Sequence, residues 1–316
     1  MKIEQIYTGC LAQGAYYIMS EGEVAIIDPL REVEPYIQKA ALDKAKIKYV
    51  LETHFHADFV SGHLDLAKKT GATIVYGPNA APSFDFHSAK DGEEIKLGKL
   101  TIKVLHTPGH TPESISFLLT DTPASKEPVM LFTGDFVFVG DIGRPDLLEK
   151  AAGMVGTQDK GAEQMYESIN LFANLPEFIQ VWPGHGAGSA CGKALGAVPS
   201  TTVGYEKKRN WAFSYGTNKA GFIDFLLTDQ PEPPKYFAKM KELNKVDRPL
   251  LTEVPTIKEL SASDLKAATA KGIKLIDTRN KQDFEKGFIE GSINIQGNNS
   301  FATWMGWFVS YNEQFI

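Results

Sequence analysis

Cysteine is scarce in this chain. Only Cys10 and Cys191 occur among 316 residues, far too few for the disulfide framework of a small secreted domain, so a reducing cytoplasm is the expected setting. Long apolar runs are missing: no stretch approaches the roughly 18 residues of a membrane span. Met1-Lys2-Ile3-Glu4-Gln5-Ile6 carries charge where a signal peptide needs an apolar stretch, so neither membrane insertion nor export is expected. Nor is there a block of one charge. The net charge of -6 is dispersed, which leaves no footprint for nucleic acid or an anionic membrane and makes a small molecule the expected partner. Internal repeats and low-complexity tracts are also absent, and the glycines of Gly184-His185-Gly186-Ala187-Gly188 lack the Lys-Ser/Thr ending of a phosphate-binding loop.

What is present is material for packed cores, 43% hydrophobic and 23% charged residues. The length exceeds the roughly 250 residues at which single cores stop growing. We expect a large domain over residues 1–250 and a smaller one over 251–316. Tyr16-Tyr17-Ile18-Met19 and Val24-Ala25-Ile26-Ile27 flank Ser20-Glu21-Gly22-Glu23, a hairpin pattern. A helix follows around Val33 to Lys46, then a buried strand Ile47–Leu51 that runs into Thr53-His54-Phe55-His56-Ala57-Asp58. From Ser61 a short helix should stop near Gly71, before a strand at Ile74-Val75-Tyr76. Three further apolar strands end at polar residues beside glycine: Leu100–Val104 before Pro108-Gly109-His110, Val129–Phe132 before Gly134-Asp135, and Phe178–Trp182 before Gly184-His185. Metal-competent residues at the ends of several strands point to one shared site. Prolines cluster in Asp229–Pro234, and Asp247-Arg248-Pro249 to Pro255 reads as a second connector. Beyond it, Ser263 is placed to cap a helix through Ala268, and Ile273–Asp277 reads as a strand.

Imidazole nitrogens and carboxylate oxygens are the donors that zinc or non-haem iron takes. His54, His56 and Asp58 alternate along one loop, and His110, Asp135 and His185 each lie beside a glycine that lets backbone approach closely. The competing reading is that these are scattered structural histidines.

The set resembles the metallo-β-lactamase superfamily, whose hallmark is His-x-His-x-Asp-His followed by further His, Asp and His ligands. The likeness covers roughly residues 1–230 and implies an α+β fold, an αββα sandwich with the metal at one edge. One departure stands out: Phe59 occupies the place of the hallmark's last histidine. That histidine helps hold the second metal of the hydrolases, so its loss argues for one metal, with His54, His110 and Asp135 as a two-histidine, one-carboxylate set suited to Fe(2+). His63 is a substitute ligand or, more simply, a helix residue. Within the superfamily the chain is most similar to the persulfide dioxygenases, in Thr53–Asp58, Pro108-Gly109-His110-Thr111-Pro112, Phe132-Thr133-Gly134-Asp135 and Gly143-Arg144-Pro145-Asp146. The resemblance implies one iron per chain, a low-molecular-weight thiol persulfide and oxygen as substrates, and supporting roles for His56, Asp58 and His185 in orienting ligands or moving protons. Arg144 is a candidate for gripping a substrate carboxylate, against an alternative pairing with Asp146. Cys191 is a candidate to exchange sulfur with the substrate, against an inert packed thiol. Lys207 and Arg209 read as a solvated helix face.

Leu275-Ile276-Asp277-Thr278-Arg279 and Gly287–Ile295 resemble the first half of a rhodanese domain, an α/β segment that as written lacks a catalytic cysteine, since none follows Cys191. The segment reads as an incomplete domain, a truncated chain or a docking module; Trp304, Trp307, Phe308 and Tyr311 are apolar residues whose exposure would favour association, as in a homo-oligomer, against the alternative that they pack locally. The expected activity is iron-dependent persulfide oxidation. The alternatives are a glyoxalase II-like thioester hydrolase using Zn(2+), and a non-catalytic metal-binding scaffold for sulfur transfer.

Overall fold

The structure, a computed structural model, describes residues 1–150, 153, 155–253 and 256–316. Among the described residues the strands form two six-stranded sheets and one two-stranded sheet, in which neighbours are consecutive in strand order. The first contains β1 (Lys2–Thr8), β2 (Gln13–Ser20), β3 (Glu23–Ile27), β4 (Lys46–Leu51), β5 (Thr73–Tyr76) and β6 (His87–Ser88). The second contains β7 (Glu94–Leu97), β8 (Leu100–His106), β9 (Ile115–Asp121), β10 (Met130–Gly134), β11 (Gln180–Pro183) and β12 (Thr201–Thr202). The helices are α1 (Glu34–Leu42), α2 (His63–Thr70), α3 (Leu147–Lys150), α4 (Thr157–Ala173), α5 (Val203–Arg209), α6 (Lys219–Leu227) and α7 (Phe237–Lys245). A C-terminal module adds α8 (Ala262–Ala270), β13 (Ile276–Asp277), α9 (Lys281–Glu285), β14 (Ile293–Asn294) and α10 (Phe301–Phe308).

The two-sided burial of the strands explains the layers. Tyr16, Ile18, Ala25 and Ile27 face Ile102, Val104, Phe117 and Phe132 between the sheets. Their neighbours Ala15, Tyr17, Val24 and Ile26 pack outward on Tyr36, Ala40 and Leu66 of α1 and α2. On the other side Leu118, Leu131 and Val181 pack on Ala162, Met165 and Phe172 of α4 and on Phe222 of α6. Strands covered on both faces read as continuous apolar runs, and the result is helix, sheet, sheet, helix.

The expected hairpin forms, with Glu21 and Gly22 both at positive φ, the pair of angles that a two-residue turn between right-twisted strands demands. The helix placed to Lys46 ends earlier, at Leu42, because Lys44 takes a positive φ. In the C-terminal module the cap is Ser261 rather than Ser263, in a reciprocal capping box with Asp264, and the strand expected over Ile273–Asp277 is only Ile276–Asp277. The connector expected from Asp247 is not a free linker at its start. Arg248 is buried against Asp65 at 2.9 Å, and the Leu251 amide donates to the same carboxylate. Its end, Pro255, lies outside the described residues. Trp304, Phe308 and Tyr311 are exposed, whereas Trp307 is half-buried. No described helix is long and apolar enough to cross a membrane.

Candidate metal centre

Every candidate ligand leaves the same edge of the sandwich. Asp28 follows β3, His54 follows β4, His110 lies in the turn between β8 and β9, and Asp135 and His185 follow β10 and β11. Glycine is required where these loops converge. A Cβ on Gly134, at φ +51°, would meet Thr53 Oγ1 at 2.4 Å, and one on Gly143 would meet the Asp135 carbonyl at 1.8 Å. Gly143 thereby brings the chain of Arg144 beside His110.

Three imidazoles turn the same nitrogen inward. His110 Nδ1 donates to the Arg144 carbonyl at 2.9 Å, and His185 Nδ1 to the Ala12 carbonyl at 3.2 Å. His54 Nδ1 lies 3.0 Å from Thr53 Oγ1, whose own proton goes to Asp28, so the ring nitrogen is the donor. Each Nε2 therefore keeps its lone pair. Among the described residues, His54 Nε2, His185 Nε2 and both oxygens of Asp135 are buried without a hydrogen-bond partner. Such orphans carry a desolvation cost that a cation would relieve.

Among the described residues the donors fall into three groups, each with its ligand atoms within 4.8 Å of one another. His54, His110 and Asp135 form the first, with His110 Nε2 3.6 Å and His54 Nε2 3.9 Å from Asp135 Oδ2. Asp58, His185 and Cys191 form the second. It abuts the first, since His185 Nε2 is 3.3 Å from Asp58 Oδ2 and 3.4 Å from Asp135 Oδ1. The third is Asp28, Glu52 and His56, where His56 Nε2 turns to Asp28 at 3.1 Å and Glu52 at 3.6 Å. His56 Nε2 thus faces a different carboxylate pair from His54 and His110, its Nδ1 is buried with no hydrogen-bond partner among the described residues, and Phe59 stacks on its ring with centroids 4.3 Å apart. His63 belongs to none of the groups; it is buried near Tyr76 and Glu52.

Charge separates the roles. Burial, then the neighbouring His56 and His110, hold His54 well below the ordinary histidine value, and burial holds His110 down as well. Burial thus favours the neutral form of both rings, the form that can donate a lone pair to a metal. Burial alone would raise Asp135, but His185 and His110 outweigh it and keep it ionised. For His56 burial is outweighed by Asp28 and Glu52, and the ring is pushed up to about 9.

Two expected substrate contacts take other positions. Arg144 is fully buried, with Nε and Nη2 bound to Asp146 at 2.8 and 2.7 Å. It cannot present its fork to a substrate carboxylate; the pairing alternative holds. Cys191 is buried, and burial together with the charges of Asp135 and Asp58 holds its thiol well above the usual value. That disfavours the thiolate on which sulfur exchange depends. Lys207 is tied to Glu177 on the surface at 2.9 Å.

The sequence reading missed α7. Asn244 is fully buried, donates to the carbonyls of His56 and Phe59 at 2.8 Å each and accepts from the Ser61 amide, so it pins the whole ligand loop. Lys241, buried beside Glu113, adds a positive charge that disfavours protonation of His54 and His110. Nothing in the periodicity around Lys241 and Asn244 marks them, because their partners are nearly two hundred positions away in the chain.

Comparison with known proteins supplies context. Residues 8–185 match the Metallo-beta-lactamase superfamily and residues 261–315 the Rhodanese-like domain. A metallo-beta-lactamase from Staphylococcus aureus subsp. aureus COL is 42% identical, with a TM-score of 0.87 over 99% of this chain and 90% of that one. ETHE1 from Myxococcus xanthus is 29% identical, with a TM-score of 0.65 over 78% of this chain and 98% of that one. The cytoplasmic hydroxyacylglutathione hydrolase of Arabidopsis thaliana is 34% identical over 191 residues, 58% of this chain and 67% of that protein.

Proposed function

Because the chain belongs to the metallo-beta-lactamase superfamily, we propose that residues 1–250 form the catalytic domain of a one-iron persulfide dioxygenase. It converts a thiol persulfide, oxygen and water to the thiol, sulfite and two protons. The observation that carries this reading is the divergence of the histidines: His54 and His110 converge on Asp135, while His56 turns to Asp28 and Glu52 behind the Phe59 ring. His54, His110 and Asp135 are assigned as the ligands. Ferrous iron bound there would supply redox chemistry and open coordination positions.

The chain's own groups do the rest. The Arg144 carbonyl and Thr53 hydroxyl fix the orientation of His110 and His54. Asp58 Oδ2 and His185 Nε2, 3.3 Å apart, form a pair able to hold a proton beside the site and pass it to a departing thiolate. Phe59 contributes an apolar wall that limits water. The rhodanese-like segment, from a family that handles sulfane sulfur, suits a persulfide substrate.

A second reading has its own observation. Asp58, His185 and Cys191 lie close enough to hold a second ion next to Asp135. That would favour a two-zinc thioester hydrolase, in line with relatives named hydroxyacylglutathione hydrolase. Metal analysis with oxygen uptake and sulfite release on glutathione persulfide separates the two. About one iron per chain with oxygen uptake supports the dioxygenase; two zincs with thioester cleavage and no oxygen uptake overturns it.

A further inference from the structure

The rhodanese-like segment has no cysteine, and the metal centre uses none of its residues. Yet its last helix reaches the site. A cavity of about 410 Å³ runs from Asp58 to α10, within the range of roughly 300–1,000 Å³ typical of small-molecule sites. One wall comes from Cys10 and Leu11, a second from Tyr236 and Met240, and the third from Thr303, Gly306 and Tyr311 of the C-terminal module. The module is seated closely there. A Cβ on Gly306 would lie 2.3 Å from the Tyr236 ring, and Lys239 stands 5.6 Å over the ring of Tyr311.

Two features of the cavity point to a ligand. At its inner end Asp58 is more than nine-tenths buried, and its Oδ1 has no hydrogen-bond partner among the described residues. At its rim Lys235 is exposed and makes no ion pair with any described residue. Between them the lining is largely apolar. A molecule matching this profile has a polar reacting end, an uncharged middle and an anionic far end.

We propose that this cavity holds the carrier part of the substrate, a low-molecular-weight thiol with an anionic end at Lys235, and that α10 of the rhodanese-like module is a wall of the catalytic domain's substrate site. This rests on the persulfide reading for the identity of the reacting group. The small residues Thr303 and Gly306 set how much room the carrier has, so the module acts in substrate selection without chemistry of its own. Carboxylate and phosphate ends would serve Lys235 equally.

The test measures binding without turnover, by calorimetry on the full-length, metal-loaded protein with glutathione, which carries carboxylates, and with coenzyme A, which carries phosphates. Thr303→Trp fills the cavity and should weaken the better-bound thiol by about tenfold or more. Lys235→Glu, an exposed change that leaves the fold intact, should weaken it by about fivefold or more and flatten its salt dependence. Trp304→Ala, on the outer face of α10, should bind as the unaltered protein does. Unchanged binding in Lys235→Glu and in a folded Thr303→Trp overturns the proposal. Equal loss in Trp304→Ala, or no binding of either thiol by the unaltered protein, overturns it too. Binding that responds as expected in a protein without oxygen uptake would overturn the dioxygenase reading and leave this site standing.

Discussion

Replacing Arg144 with methionine should destabilise the protein and leave substrate affinity almost unchanged. The guanidinium is bound through two parallel bonds to Asp146, and both side chains are fully buried. Removing one partner of such a pair strands a buried charge and typically costs about 3–5 kcal/mol. Lys150, 2.9 Å from Asp146 and partly exposed, keeps some of the compensation, which places the loss near the lower end of that range. At about 2–4 °C per kcal/mol for a domain of this size, a loss of about 3 kcal/mol lowers Tm by about 6–12 °C. Thermal unfolding followed by circular dichroism at pH 7 measures it. The double variant Arg144→Met with Asp146→Leu should recover most of the loss, because two apolar groups of similar shape leave no orphaned charge. An unchanged Tm together with a raised KM for the anionic substrate would refute this reasoning and restore Arg144 to the substrate site.

The same pair has a pH signature. Arg144 and Lys150 outweigh burial and hold Asp146 below its ordinary 3.8. A depressed folded value means that the pair's stabilisation is complete above about pH 3.8 and is lost as pH falls through the lower folded value, so Asp146→Asn should cost more at pH 7 than at pH 3; equal costs would count against the pairing. Asn244→Ala removes three hydrogen bonds from the ligand loop, and at about 1 kcal/mol each should cost about 2–3 kcal/mol in a denaturant titration while speeding metal loss to a chelator. Phe59→His returns an imidazole to the ligand loop, and metal analysis should find more bound zinc per chain than in the unaltered protein; an unchanged ratio would mean that Phe59 does not set the metal count. Stripping the metal should lower Tm, since an ion that binds only the folded state stabilises it by mass action.

Much was legible along the chain because it is local. Apolar runs ending at Thr53, His110, Asp135 and His185 marked strand ends, and those runs are continuous because their strands are covered on both faces. The hairpin at Glu21-Gly22 and the stop at Gly71, with its φ of +75°, are likewise written in residues whose backbone freedom the turn needs.

The direction in which each side chain turns was not legible. His54 and His56 are two positions apart, yet one reaches Asp135 and the other Asp28, because those carboxylates arrive from different strands. Arg144 was read as facing either a substrate or Asp146, and only burial decided between them. The composition and spacing by themselves determined apolar strands that end at one polar cluster, and the two-layered sheet fold was implied by the resemblance that those residues carry. Tertiary structure alone decided which donors converge, that Asn244 and Lys241 of α7 support them, and that α10 closes one side of the cavity. The reason is physical: periodicity reports the environment of a face, whereas a partner is fixed by contacts between segments far apart in the chain.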